Sequence, residues 1–140
     1  MSDLYERDFF AWINEQVALL RDGNLALADV RNITEEIATL GRNETRELEN
    51  RLAVLLHRLL KWRFQTGLRS GSFALSLKVA REAVADFLAE SPSLRLALPG
   101  AMLTAYRRAR REMAMETGFD LDTFPATSPW SFDQAMQDPL

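Results

Sequence analysis

Apolar side chains recur every three to four residues through most of this sequence, and nowhere do they alternate for long as they would in a strand. That period predicts an all-α protein. The first helix runs from about Leu4 to Asp22, with Tyr5, Phe9, Trp12, Ile13, Gln16, Val17 and Leu20 on one side and Gly23 just past its end. A much longer helix follows. From Asp29 to about Gln65 the apolar phase passes through Ile33, Ile37, Leu40, Leu48, Leu52, Leu55, Leu59 and Trp62, close to one stripe. Gly41 does not shift that phase, and an interior glycine costs only about 1 kcal/mol. One continuous helix of about 50 Å is therefore expected; the alternative is a break over residues 41–43. Between Leu52 and Phe64, 9 of 13 residues are apolar, so this stretch needs helices around it.

Residues 63–72 read as a loop, broken by Thr66, Gly67, Ser70 and Gly71. The third helix begins near Ser72 and ends near Glu90, with Phe73, Leu77, Ala80, Val84, Phe87 and Leu88 facing inward. Ser91 and Pro92 are placed to open a fourth, the serine as cap and the proline in the first turn. It carries Leu94, Leu98, Met102, Leu103, Tyr106, Ala109 and Met113 and stops at Gly118, with a kink or short break expected at Pro99. Ser131 to Gln134 has the form of a capping box, and Phe124, Trp130 and Phe132 are too apolar for a loose tail. The expected architecture is a single domain over residues 1–140. It is an up-and-down bundle of four main helices, with the long second helix as spine and a short C-terminal helix packed back on it.

Charge changes what this bundle must do. Residues 1–49 hold 5 basic and 11 acidic side chains, residues 50–111 hold 12 and 3, and residues 112–140 hold 6 acidic and none basic. A net charge of −3 hides this sorting. Either the acidic ends fold onto the basic middle, or a positive face is left for an anionic partner. There is no cysteine and one histidine, which excludes disulfides, thiolate zinc and a cysteine nucleophile. No apolar run approaches the roughly 18 residues that span a bilayer, and the acidic start lacks a secretory core. No membrane association is expected, and the cytoplasm is the default location.

The candidate chemistry is sparse. His57 and Lys61 lie one helical turn apart, as a proton-transfer pair or anion clamp, or as edge residues neutralised by acids of the first helix. Glu35 and Glu36 point about 100° apart on a helix and cannot share a ligand. Along an unbroken helix Glu36 lies about 31 Å from His57. The Glu-x-x-His spacing of di-metal bundles is missing, because Val54 stands three before His57, so no metal and no cofactor are expected. Arg69, Ser70, Gly71 and Ser72 could cradle an anion at a helix start or simply cap it. Arg63, Arg69 and the four arginines of 107–111 could form a basic surface, with Trp62 and Phe64 as stacking planes for unpaired bases. No groove-reading motif accompanies them, and no nucleophile elbow is present.

Several short runs together resemble a known family. They are the stretch from Tyr5 to Trp12, Glu35-Glu36 with Leu40-Gly41-Arg42, Leu52 to Trp62, and Arg69-Ser70 before Ser72-Phe73. Ser91 to Leu94, Glu116 to Phe119, Phe124-Pro125 and Ser128 to Trp130 continue the series in order. The set is similar to the domain of unknown function 29 family of small bacterial proteins. Residues 63–66, Phe73 and Pro99-Gly100 depart from the family's usual form. The resemblance implies an all-helical domain and no activity. The function expected is a small helical interaction or scaffold module that binds a protein partner or a second copy of itself as a homodimer. One alternative is nucleic-acid or phosphate-ligand binding by the basic 50–81 region. Another is an enzyme working through Glu36, His57 and Lys61. The candidate functional cluster is Glu36, His57, Lys61, Arg63, Arg69 and Ser70.

Overall fold

The structure is a computed structural model and describes residues 3–137. It is all-α, and the four main helices and the short C-terminal helix are all present. The chain forms two compact units, residues 1–43 and 44–140.

The first unit contains α1 (Leu4–Arg7), α2 (Phe9–Arg21) and the start of α3 (Val30–Phe64). The single helix expected over residues 4–22 is divided at Asp8. Its backbone leaves the helical region, with φ of −148° and ψ of 87°, and its carboxylate accepts the Ala11 N–H at 3.1 Å. An aspartate that satisfies one of the free N–H groups of a first turn starts a new helix rather than continuing an old one. Gly23, with φ of +71°, lets the chain turn back. The return is held by a polar knot. Asp29 accepts the indole N–H of Trp12 at 3.1 Å and the side-chain amide of Asn32 at 2.8 Å. Its own N–H donates to Gln16 Oε1 at 2.7 Å. Asp29 also takes the Asn32 backbone N–H and so caps α3. Trp12 is the one apolar side chain of this unit that is buried among the described residues.

Helix α3 is continuous through Gly41, as its apolar phase predicts. In the second unit its Leu48, Leu52, Leu55, Leu56, Leu59 and Leu60 are at most 1% exposed. They pack with Leu77, Ala80, Val84 and Leu88 of α4 (Gly71–Glu90) and Ala101, Ala105, Ala109 and Met113 of α5 (Leu98–Thr117). Contacts of Arg51 with Ala83 and of Arg58 with Ser76 run antiparallel between α3 and α4. Asn50 with Arg108 and His57 with Glu116 run parallel between α3 and α5. The result is up-down-up. Ala101, Ala105 and Ala109 of α5 are buried in the same cluster as the leucines of α3.

Two ends differ from expectation. Helix α4 starts at Gly71, one residue early, because Ser70 accepts the Phe73 N–H. Ser91 makes no side-chain cap. Residues Pro92–Ala97 instead wind as a 3-10 helix, and α5 proper begins at Leu98 with Pro99 in its first turn. There the missing proline N–H leaves no hydrogen bond unmade, so the break precedes the proline. Gly118 closes α5 with φ of +73°.

The tail packs as its aromatics predict. Phe124 is 1% exposed and meets Phe64 edge-on at 5.3 Å. The capping box at Ser131 and Gln134 opens α6 (Phe132–Met136), whose Ala135 is fully buried. We call residues 119–137 the clasp. Phe124→Ala is expected to lower stability by about 3–5 kcal/mol, whereas Phe10→Ala, on a solvent-facing ring, should change it by less than about 0.5 kcal/mol. Urea unfolding followed by circular dichroism measures both.

Candidate functional site

His57 and Lys61 share one face of α3 by their i, i+4 spacing. Both reach the same carboxylate. His57 Nε2 lies 2.8 Å from one oxygen of Glu116, and Lys61 Nζ lies 2.5 Å from the other. The acid is therefore on the last turn of α5, not on the first helix as expected, because the parallel run of α3 and α5 brings residues 57–61 level with 116. Hydrogen bonding from Lys61 holds the Glu116 carboxyl below its usual range; burial opposes this, and His57 adds to it. Both side chains thus engage one carboxylate.

Arg69 and Ser70 are also engaged locally. The Arg69 Nε–H donates to the Trp62 carbonyl at 2.7 Å, and its guanidinium stacks 5.2 Å from the Trp62 ring. Ser70 Oγ caps α4 and lies 3.1 Å from Ser72 Oγ. The turn before α4 is thus capped by its own serine. Arg63 lies 5.5 Å above the Phe64 ring. Most other arginines of the basic block bridge elements. Arg51 donates to Ala83 O, Arg58 to Ser76 O, Arg81 to Ala135 O and Arg110 to Phe124 O. Each ties one helix, or the clasp, to another by a charge-assisted hydrogen bond.

Glu36 stands in the first unit. It accepts the Tyr5 hydroxyl at 2.5 Å, which holds that phenol above its usual range, with burial and the charges of Glu36, Glu35 and Asp29 adding to the effect. Tyr5, Phe9 and Trp12 form an aromatic cluster with ring centroids 4.7–5.7 Å apart. Asp29 is held below its usual range, chiefly by the Asn32 amide, with burial opposing and the Asn32 N–H and Trp12 assisting. Sequence reasoning missed Asp29 as a site of organisation, although Gln16 on an apolar ladder was a signal that a buried polar partner was needed. Among the described residues no three His, Asp or Glu side chains converge as metal ligands, and no helix is long and apolar enough to cross a membrane.

The first unit leaves several large apolar side chains uncovered among its charged ones. Phe10, Leu25, Leu27, Val30, Ile37 and Leu40 are all exposed, Ile37 by 62% and Leu40 by 64%. Ile33, Ile37 and Leu40 follow the i, i+4, i+7 spacing of one helix face, with Ile33 half-buried and the other two exposed.

The chain matches the family described as domain of unknown function DUF29 over residues 4–139. It belongs to that family. No curated protein and no solved structure shows a significant match to it.

A pH dependence follows from Glu116. Its folded pKa lies below the ordinary 4.5, so the folded state binds its proton less readily than the unfolded chain. The stabilisation is present above that value and is lost as pH falls through the folded one. Urea midpoints recorded from pH 6 downward should fall through this window in the wild type. They should fall less steeply in Glu116→Gln, which keeps a hydrogen-bonding group without the charge.

Proposed function

We propose that this DUF29-family chain is a helical protein-interaction module whose first unit docks its uncovered apolar face on a partner. The single observation that carries this is a mismatch within residues 1–43. One apolar side chain, Trp12, is buried there among the described residues, while Phe10, Leu25, Leu27, Val30, Ile37 and Leu40 are exposed and Ile33 is half-buried. A unit of this size rarely supplies a sufficient core alone, and a contiguous apolar face rimmed by charge marks a site of association.

The partner's chemistry follows from the rim. Residues 1–43 carry 8 acidic and 4 basic side chains, with Glu35 and Glu36 beside the ladder. The complementary surface is an amphipathic helix with basic flanks, steered in by charge and held by apolar burial. A second copy of the same face would set acid against acid, which costs binding energy. The arginines of the 50–81 region mostly engage carbonyls, carboxylates and aromatic rings within the fold, which supports bracing over a phosphate track. His57 and Lys61 converge on Glu116, while Glu36 pairs with Tyr5; this supports structural roles over a shared catalytic centre.

The test uses a charge-neutral change of the ladder. Ile37→Ser with Leu40→Ser should leave the urea midpoint nearly unchanged, since both side chains are exposed. It should abolish capture of a partner that wild type retains at low salt and releases at high salt. Equal capture by wild type and variant would refute the docking face. Sedimentation of wild type as a dimer that the double variant converts to monomer would instead make the partner a second copy.

A further inference from the structure

The second unit holds a groove of about 820 Å³ between α5 and the clasp, within the range of small-molecule sites. Its floor and walls are Leu98, Met102, Tyr106, Leu121, Trp130 and Phe132. They are fixed from behind. The Tyr106 hydroxyl donates to Pro125 O at 2.6 Å, Arg110 Nε donates to Phe124 O at 3.2 Å, and Ser128 and Ser131 bond to the clasp's own backbone. The groove is thus formed before anything enters it.

Its polar equipment has one sign. Three of the lining residues are arginines, and none is acidic. Arg110 also faces the Asp122 carboxylate at 3.6 Å, on a side chain that is almost wholly exposed. Arg107 and Arg111 have no hydrogen-bond or ion-pair partner among the described residues. They stand one turn apart on α5, where like charges repel. Elsewhere the arginines of this unit mostly brace the fold; these two edge an apolar groove with their donors free. A planar guanidinium pair of this kind suits a carboxylate or phosphate, which it can grip through paired N–H groups.

We propose that the groove binds a small free amphipathic anion, a carboxylate or phosphate head on an apolar body, with the head at Arg107 and Arg111 and the body against Met102, Tyr106 and Trp130. Charge complementarity selects the head. The apolar walls select the body and argue against a nucleotide, whose base edges would lose their hydrogen bonds there. The groove lies wholly within the second unit, so this proposal stands or falls apart from the helix-docking face of the first.

Calorimetric titration of the full chain with octanoate, octyl phosphate, octanol and AMP tests it. Octanoate and octyl phosphate should bind with one site each, and octanol and AMP about tenfold more weakly or not at all, the loss expected of a charge-assisted contact. Arg107→Gln with Arg111→Gln should weaken both anions by about tenfold or more and leave octanol unchanged. Met102→Trp should block both anions by filling the groove, with folding of each variant checked by circular dichroism and urea midpoint. Equal affinity for octanol and octanoate, or unchanged anion binding in the folded double arginine variant, would overturn the proposal. So would binding to phosphatidic-acid vesicles with no affinity for either free anion.

Discussion

One helix lives in two surroundings, and the rest of the structure follows from that. Between Leu48 and Leu60 six leucines of α3 are at most 1% exposed. Burying them draws α4 and α5 against it, because a helix apolar over most of its girth is stable only when enclosed. At roughly 1.5–3 kcal/mol for each fully buried leucine, this face outweighs any single cap or ion pair in the molecule. The same helix carries Ile37 and Leu40 exposed. Helical hydrogen bonding does not end where burial does, so Gly41 passes without a break. Its backbone needs no left-handed conformation, and nothing crowds a side chain there.

Around that core, arginine has a structural use. Carbonyls inside α4, at Ser76 and Ala83, accept from Arg58 and Arg51 of α3 in addition to their helical bonds, since a carbonyl has two lone pairs. Arg51 further stacks over Phe87 at 4.5 Å and pairs with Glu47 at 2.8 Å, which holds that carboxyl below its usual range. Arg81 and Arg110 reach the clasp at Ala135 and Phe124. The basic block is thus divided between elements that its side chains join. The acidic C-terminal block meets it at particular points, Glu116 with His57 and Lys61, and Asp122 with Arg110.

The fold was legible in the sequence wherever periodicity alone decides. The continuity of α3, the inner face of α4, the glycine stop at residue 118 and the capping box at Ser131 all follow from local rules. Asp8 went unread because a carboxylate early in a helix is equally at home as an exposed charge or a cap, and only the chain's path decides. The 3-10 winding of residues 92–97 reflects two prolines competing for one helix start. Partners of the cations were the least legible. Every residue offers a carbonyl, so an arginine's acceptor leaves no mark in composition or spacing. Glu116 became the partner of His57 and Lys61 through the parallel placement of two helices separated by a third, which no local motif encodes. The groove was hidden for the same reason: its arginines were visible as a cluster, but its walls come from residues 98–132 brought together only by folding.

The molecule's surfaces divide by what they lack. Among the described residues the first unit buries one apolar side chain, Trp12, and exposes several others beside acidic residues, conditions that suit the helical partner proposed for it. Among the described residues the groove of the second unit has no counter-ions for Arg107 and Arg111 and already has its walls in place, conditions that suit the small anion proposed for it. Preorganisation separates the two. Tyr106 and Arg110 hold the clasp by bonds already formed, so a ligand in the groove orders little on entering. The partner helix proposed for the first unit would supply burial that the unit does not have. Affinity there depends on total apolar area and on charge sign, whereas in the groove it depends on where two guanidinium groups stand.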